Sequence, residues 1–405
     1  MTDLPPIDPA ALGRRLADAR KARGATQEEA AEHLGCSRPT LIGIEKGTRP
    51  AKAEEVVKLA AFYGRSVHEL VRPGGLQVDL QPHLRAVAQK KVGEAAIGPA
   101  IEELQRFVDD YLRLEALMSA PLATNYPPEV RLAERVDPSS LGEDAAAHER
   151  RRLGLGDQPI GDLRGILESD VGLRIFYGRE LPSHVAGMFA YAADVGGCIL
   201  INAKHPEERR RASMVHEYGH LIVDRHKPGI DYLAAEARKP ASERFAESFA
   251  MGFLTPATSI RRHFHEVVAN TGDFQVADLC RLAHLYFVSF EAMTLRLERL
   301  GLVPKGTRDH LKESRFEVRK ASALLGLAAR VAADEPYPER YKFLAVHAYE
   351  RAEITEGELA RLLRCDPVAA RGIVADCLSS SDVTPEGLLE TLRLDFQHSL
   401  LSDPS

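Results

Sequence analysis

The sequence predicts a multidomain, mainly α protein with three parts: an all-α helix-turn-helix domain, an α+β domain with a small sheet, and a helical C-terminal region. Three observations carry this reading. Cap and glycine signals punctuate short apolar-faced segments over residues 9–72, β-branched runs bounded by glycine begin near 171, and long helical patterns follow them. Strands followed by helices give the α+β order. A length of 405 residues allows about two to four domains.

Composition narrows the class. Hydrophobic residues make up 44% and charged residues 28%, the balance of a soluble globular chain. The opening MTDLPPIDPAALGRRL has acids and prolines where a signal peptide needs a basic start and an apolar core. With no apolar run of membrane-spanning length, the expectation is a cytoplasmic protein without a membrane partner. Cys36, Cys198, Cys280, Cys365 and Cys377 are scattered and form no CxxC pair, which suits a reducing compartment. Net charge is −6, against indiscriminate coating of nucleic acid; yet residues 1–75 hold 12 Lys and Arg against 10 Asp and Glu. A slightly basic module on an acidic body permits local DNA contact.

Residues 9–72 read as five short helices. Thr26 with Glu29 three residues later is a capping box, Ala30, Ala31 and Leu34 supply an apolar face, and Gly35 ends the helix. Ser37 caps the next helix, with Pro39 in its first turn, Leu41, Ile42 and Ile44 on its buried side, and Gly47 as its stop. Two helices about a short turn make a helix-turn-helix. The stretches TQEEAAEHLG, SRPTLIGIEKGTRP and LAAFYGRSVHEL resemble the lambda-repressor-like (XRE-type) DNA-binding family. That resemblance implies that the helix opening at Ser37 enters the major groove of a double-stranded operator. Arg38, Thr40 and Gly43 would face base edges, and Gln27, Lys46 and Arg49 would lie near phosphates. Such readers pair half-sites as homodimers.

Residues 80–120 read as a helical connector, whose apolar positions 101, 104, 108 and 111 could serve dimerisation or packing on the same chain. Residues 121–158 read as a linker, because the stretch 119–140 is rich in proline, serine and polar residues. Short helical pieces are expected at 141–153 and 160–170. VGLRIFYG and GGCILINA read as strands, with MFAYAADV as a third. EERRRASMVHEYGHLIVD then runs as a helix containing Gly219, where glycine lowers helix stability by about 1 kcal/mol relative to alanine.

On that helix His216 and His220 are four apart, so both imidazoles leave one face and can share an ion. Glu217, one residue round, can reach a water on that ion and act as general base. A third ligand is expected downstream in SERFAESFAMGFLTP, where Glu243 and Glu247 stand one turn apart. HEYGH followed by this stretch resembles the ImmA/IrrE family of metallopeptidases, as do ILINAKHPEERRRAS before it and LCRLAHLYFVSFEAMTLRLERLGLV after it. The likeness covers roughly residues 160–303 and implies a zincin-like fold. His216, His220 and Glu243 would be the zinc ligands and Glu217 the catalytic base. Glu247 stands where the family has Asn or Asp, and it would serve as a support or an alternative ligand. Mn²⁺ and Fe²⁺ also suit two imidazoles and a carboxylate.

An oxyanion donor is also needed, with His226, Tyr232 and Tyr286 as candidates. His263 and His265 read as surface residues rather than ligands. Residues 304–405 read as a helical C-terminal domain whose segment ITEGELARLLRCDPVAARGIVADCL lacks the basic residues of a DNA reader. Together these readings imply a transcriptional regulator with a zinc endopeptidase domain. Its protein substrate would be a repressor, an antitoxin-like partner or its own segment 119–140. The competing reading is a non-proteolytic transcription factor whose second domain senses a metal or small molecule, a role with no need of Glu217.

Overall fold

The structure, a computed structural model, describes residues 8–63, 67–71, 80, 84, 94–133, 136–227, 229–232, 240–314, 316–327, 335–383 and 389–393. The chain divides into two units, 1–77 and 78–405.

The first unit contains α1 (Pro9–Ala22), α2 (Gln27–Leu34), α3 (Arg38–Glu45), α4 (Ala53–Tyr63) and α5 (Val67–Val71). Its helix ends are where the side chains place them. Thr26 and Glu29 form the reciprocal box, Gly35 closes α2 in the left-handed region at φ 75°, and the Ser37 hydroxyl accepts from Thr40 N–H. Leu16, Leu41, Ile44 and Leu59 centre the core. Beneath it Arg20 and Glu45 meet at 2.6 Å, and Gln27 Nε2 donates to the same carboxylate at 2.9 Å. A buried ion pair is tolerable when its remaining polar atoms also find partners.

The second unit is built on a sheet of order β1-β3-β2-β4: β1 (Arg174–Gly178), β2 (Val185–Ala192), β3 (Gly196–Asn202) and β4 (Gly229–Tyr232). β1 runs parallel to β3, and the other pairs are antiparallel. The first three strands are buried on both faces, which is why they read as continuous apolar runs. Alternation sorts their residues into two cores. Ile175, Phe189, Ile199 and Ile201 join one, and Phe176, Met188, Cys198 and Leu200 the other.

The second core is covered by α6 (Glu94–Leu117), where Phe107 stacks on Phe176 at 4.7 Å. Ile101, Leu104, Val108 and Tyr111 are each at most 1% exposed. The α6 stripe is therefore spent on its own chain, and the dimerising reading of residues 80–120 loses the surface it rested on. Further along lie α7 (Pro138–Arg152), α8 (Leu163–Ile166) and a π turn at Leu167–Val171.

The first core holds α9 (Glu207–Val223), α10 (Ala241–Leu254), α11 (Ala257–Thr271), α12 (Val276–Leu285) and α13 (Phe290–Arg299). Then come α14 (Thr307–Glu313), α15 (Val318–Leu324), α16 (Glu339–Glu350), α17 (Glu356–Leu362) and α18 (Pro367–Leu378). Helices α16 to α18 share the core of α6, and Arg361 meets Asp110 at 3.0 Å. The C-terminal helices are thus part of the second unit's core. They end in an antiparallel hairpin, β5 (Ser379–Val383) with β6 (Leu389–Arg393), which the helical reading of 304–405 did not include.

The linker reading of 121–158 is also corrected. Asn125 N–H donates to Val171 O at 2.9 Å and Val130 N–H to Ile222 O at 2.8 Å, so the stretch lies on the domain. After it comes α7, a fifteen-residue helix opened by Asp137, whose side chain accepts from Ser140 N–H.

Candidate metal centre

Helix α9 is buried from Ser213 to Val223, and Glu207 and Glu208 occupy its first turn, where the helix dipole favours negative charge. His216 and His220, each 8% exposed, leave the same face. Their Nε2 atoms lie 3.2 Å apart. Glu243, in the first turn of α10, brings Oε2 to 3.3 Å from His216 Nε2 and Oε1 to 3.7 Å from His220 Nε2. Ligands about 2.0–2.1 Å from a tetrahedral zinc are separated by about 3.3 Å. The 3.2 and 3.3 Å spacings match that edge, the 3.7 Å contact is to the other carboxylate oxygen, and the donor set of two imidazoles and one carboxylate fits a divalent transition metal. Glu247, half-buried one turn on, is not part of the cluster.

Burial alone would raise the Glu243 carboxyl, but its bonds to His216 and His220 and their charge outweigh this and hold it well below the usual carboxylate range. Glu217 is fully buried. A side chain at Gly187 of β2 would place its Cβ 3.2 Å from Glu217 Oε1 and 3.2 Å from Leu200 O, so the bare glycine leaves room for that carboxylate.

The other sequence candidates divide. Tyr286 shares hydrogen bonds with Ser259 Oγ at 2.5 Å and His263 Nδ1 at 3.1 Å, which commits its hydroxyl to the α11–α12 junction. His226 is exposed, edge-on to Tyr191 at 5.3 Å, and His265 is exposed. The side chain of Tyr232 lies outside the described residues.

Close packing brings the Glu243 helix to the histidines. A Cβ on Gly219 would sit 2.9 Å from Ala246 Cα, so glycine is what lets α10 lie against α9. From the other side α7 approaches α10 through Gly142, whose Cβ would meet Phe245 O at 2.5 Å and Phe249 N at 2.9 Å. Ser248 Oγ donates to Ser139 O at 2.7 Å. Glu149 of α7 accepts from the Tyr218 hydroxyl of α9 and is held by Arg152. Sequence reasoning missed Gly142, Glu149 and Gly187. The available signal was the Gly142–Ala146–Glu149 spacing, one face of a helix without large apolar residues.

In the first unit Arg38 and Lys46 are exposed at the two ends of α3, and Ser37 Oγ lies 2.8 Å from Thr40 Oγ1. Gly43 is half-buried, with Thr48 donating to its carbonyl at 3.1 Å. Arg49 makes a two-point pair with Glu55 at 3.0 and 2.8 Å, and Gln27 turns to Glu45.

Residues 11–72 match the family model for a helix-turn-helix domain, and residues 168–298 match that for an IrrE N-terminal-like domain. The chain therefore carries a helix-turn-helix DNA-binding domain and an IrrE-like peptidase domain. It is similar to the cryptic phage CTXphi transcriptional repressor RstR of Vibrio cholerae, 40% identical over 65 residues, 16% of this chain. Those residues span 59% of the repressor's length, less than two thirds of that relative. Among the described residues no helix is long and apolar enough to cross a membrane.

Proposed function

We propose that this chain is a DNA-binding transcriptional regulator whose second unit is a metal-dependent endopeptidase, with zinc as its metal. The observation that carries the enzymatic reading is the set of spacings between His216, His220 and Glu243, 3.2, 3.3 and 3.7 Å, beside a buried Glu217. His216, His220 and Glu243 would hold the ion. When bound, zinc polarises a scissile carbonyl and acidifies water. Glu217 accepts the proton of the attacking water and passes it to the leaving amine. Gly187 keeps the space in which that carboxylate works.

Segment 119–133 is bonded to the second unit through Asn125, Val130 and the Pro127 carbonyl, which accepts from Arg225 at 2.7 Å. An anchored extended chain is a poor internal substrate. The substrate is therefore a separate protein, a repressor or an antitoxin-like partner, whose cleavage switches gene expression. On the DNA side, Arg38 and Thr40 face base edges and Lys46 a phosphate, while Gln27 and Arg49 hold the frame. Pairing of half-sites calls for a homodimer through a surface other than the α6 stripe.

Glu217→Gln tests the enzymatic reading. The variant should keep its metal and its operator affinity while cleavage of a peptide library falls by about 10²–10⁴-fold. Cleavage at the wild-type rate would refute the role of Glu217. A wild type that binds metal and DNA but cuts nothing would favour the sensor.

A further inference from the structure

The histidine helix α9 lies against α10, and α10 in turn lies against α7, which is outside the matched residues 168–298 and reaches α9 through the Tyr218 side chain. Gly142 and Glu149 are seven residues apart, close to two turns, and so face the same way. At Gly142 the helix rests on the α10 backbone, and at Glu149 it takes the hydroxyl of Tyr218 from α9. Tyr218 stands midway between His216 and His220 in sequence, hence on the opposite side of α9 from both imidazoles.

Anchoring that side fixes the rotation of α9 about its axis. At a side-chain radius of about 6 Å, a turn of about 10° moves a tip by about 1 Å. Metal–ligand distances tolerate only about 0.2 Å. The anchor is itself rigid. Glu149 is 1% and Tyr218 0% exposed, and Arg152 binds the carboxylate through Nε at 2.8 Å and Nη2 at 2.6 Å.

We propose that Glu149 is a positioning residue for the metal centre, acting through Tyr218 to set where His216 and His220 stand relative to Glu243. The inference rests on the metal-site reading above. It turns a stretch that reads as linker into part of the site's support.

The test titrates the full chain with Co²⁺, following visible absorption, which reports ligand geometry, and then measures Zn²⁺ affinity by competition. Tyr218→Phe and Glu149→Ala should each weaken Co²⁺ binding by about tenfold, within the range that outer partners of ligands contribute. Both should alter the Co²⁺ spectrum. Glu149→Gln, which keeps a carbonyl oxygen for the tyrosine, should restore the wild-type spectrum. Should Glu149→Ala not fold, Tyr218→Phe decides, since it removes one oxygen and leaves the Glu149–Arg152 pair. Wild-type affinity and spectrum in Tyr218→Phe would overturn the proposal, even if that variant melted earlier. No Co²⁺ absorption in the wild type would instead overturn the metal-site reading, and this proposal with it.

Discussion

Arg38 and Lys46, at the two ends of α3, are exposed, whereas His216 and His220 are 8% exposed and Glu217 is fully buried. The supports differ less. In the first unit α3 is opened by the Ser37 cap and flanked by the Arg49–Glu55 pair, but it is also held from α1, where Arg20 meets Glu45 and Gly13 lies against Ile44 O. In the second unit the candidate metal cluster joins residues 216 and 243, and its support reaches back to Gly142 and Glu149. A reader of DNA must present side chains to a large external surface. A hydrolytic centre must enclose its charge, and enclosure needs parts from distant segments. The units therefore differ in what they expose rather than in how they are assembled: Gly13 and Gly47 are close approaches in the first, as Gly142 and Gly219 are in the second.

The largest effect that could break this comparison belongs to Gly219→Ala. One methyl group directed at Ala246 Cα from 2.9 Å forces α10 away from α9. The second unit should lose about 1–3 kcal/mol, the usual penalty of overpacking. Glu243 would move with α10, so metal content should fall as well. Chemical unfolding and metal analysis on the same preparation check both. Unchanged stability with full metal content would mean that the approach of the two helices is not what assembles the site.

Glu55 gives a smaller effect that sharpens the other side. Its bond to Arg49 lowers its carboxyl below the ordinary value despite partial burial. A depressed carboxylate stabilises the fold above the unfolded-state value, and that contribution is lost as pH falls through the folded one. Glu55→Gln should therefore lower the stability of the first unit at pH 7 by about 0.5–1 kcal/mol, as expected of a half-exposed pair. The gap to wild type should close under acid conditions, below the ordinary carboxylate range. A gap that stayed constant with pH would show that shape, not charge, is what Glu55 supplies.

The same contrast explains what was legible in the sequence. Thr26, Gly35 and Ser37 act within a few residues of themselves, so their roles are written locally, and the five helices of the first unit follow. HEYGH is also local, and the downstream stretch narrowed the third ligand to Glu243 or Glu247; the cluster then includes Glu243. The α6 stripe was correctly read as buried, but periodicity cannot say whether the cover is a second copy or the same chain. Helix α7 is legible as a helical piece at 141–153, but not as part of the domain, because its buried face is Pro138, Gly142, Ala146, Glu149 and Arg150, with no large apolar residue to announce it. Strand β4 has only four residues, and β5 (SSSDV) and β6 (LETLR), though as long as β1, carry no apolar run like the IFY of β1.

The most direct measurement of the central claim is the metal content of the purified chain beside His216→Ala and Glu243→Ala. About one zinc per wild-type chain is expected, lost in both variants, because three protein ligands with one open position define a catalytic zinc site. A wild type without metal after zinc is supplied, or variants that keep it, would mean that His216, His220 and Glu243 are not a metal site.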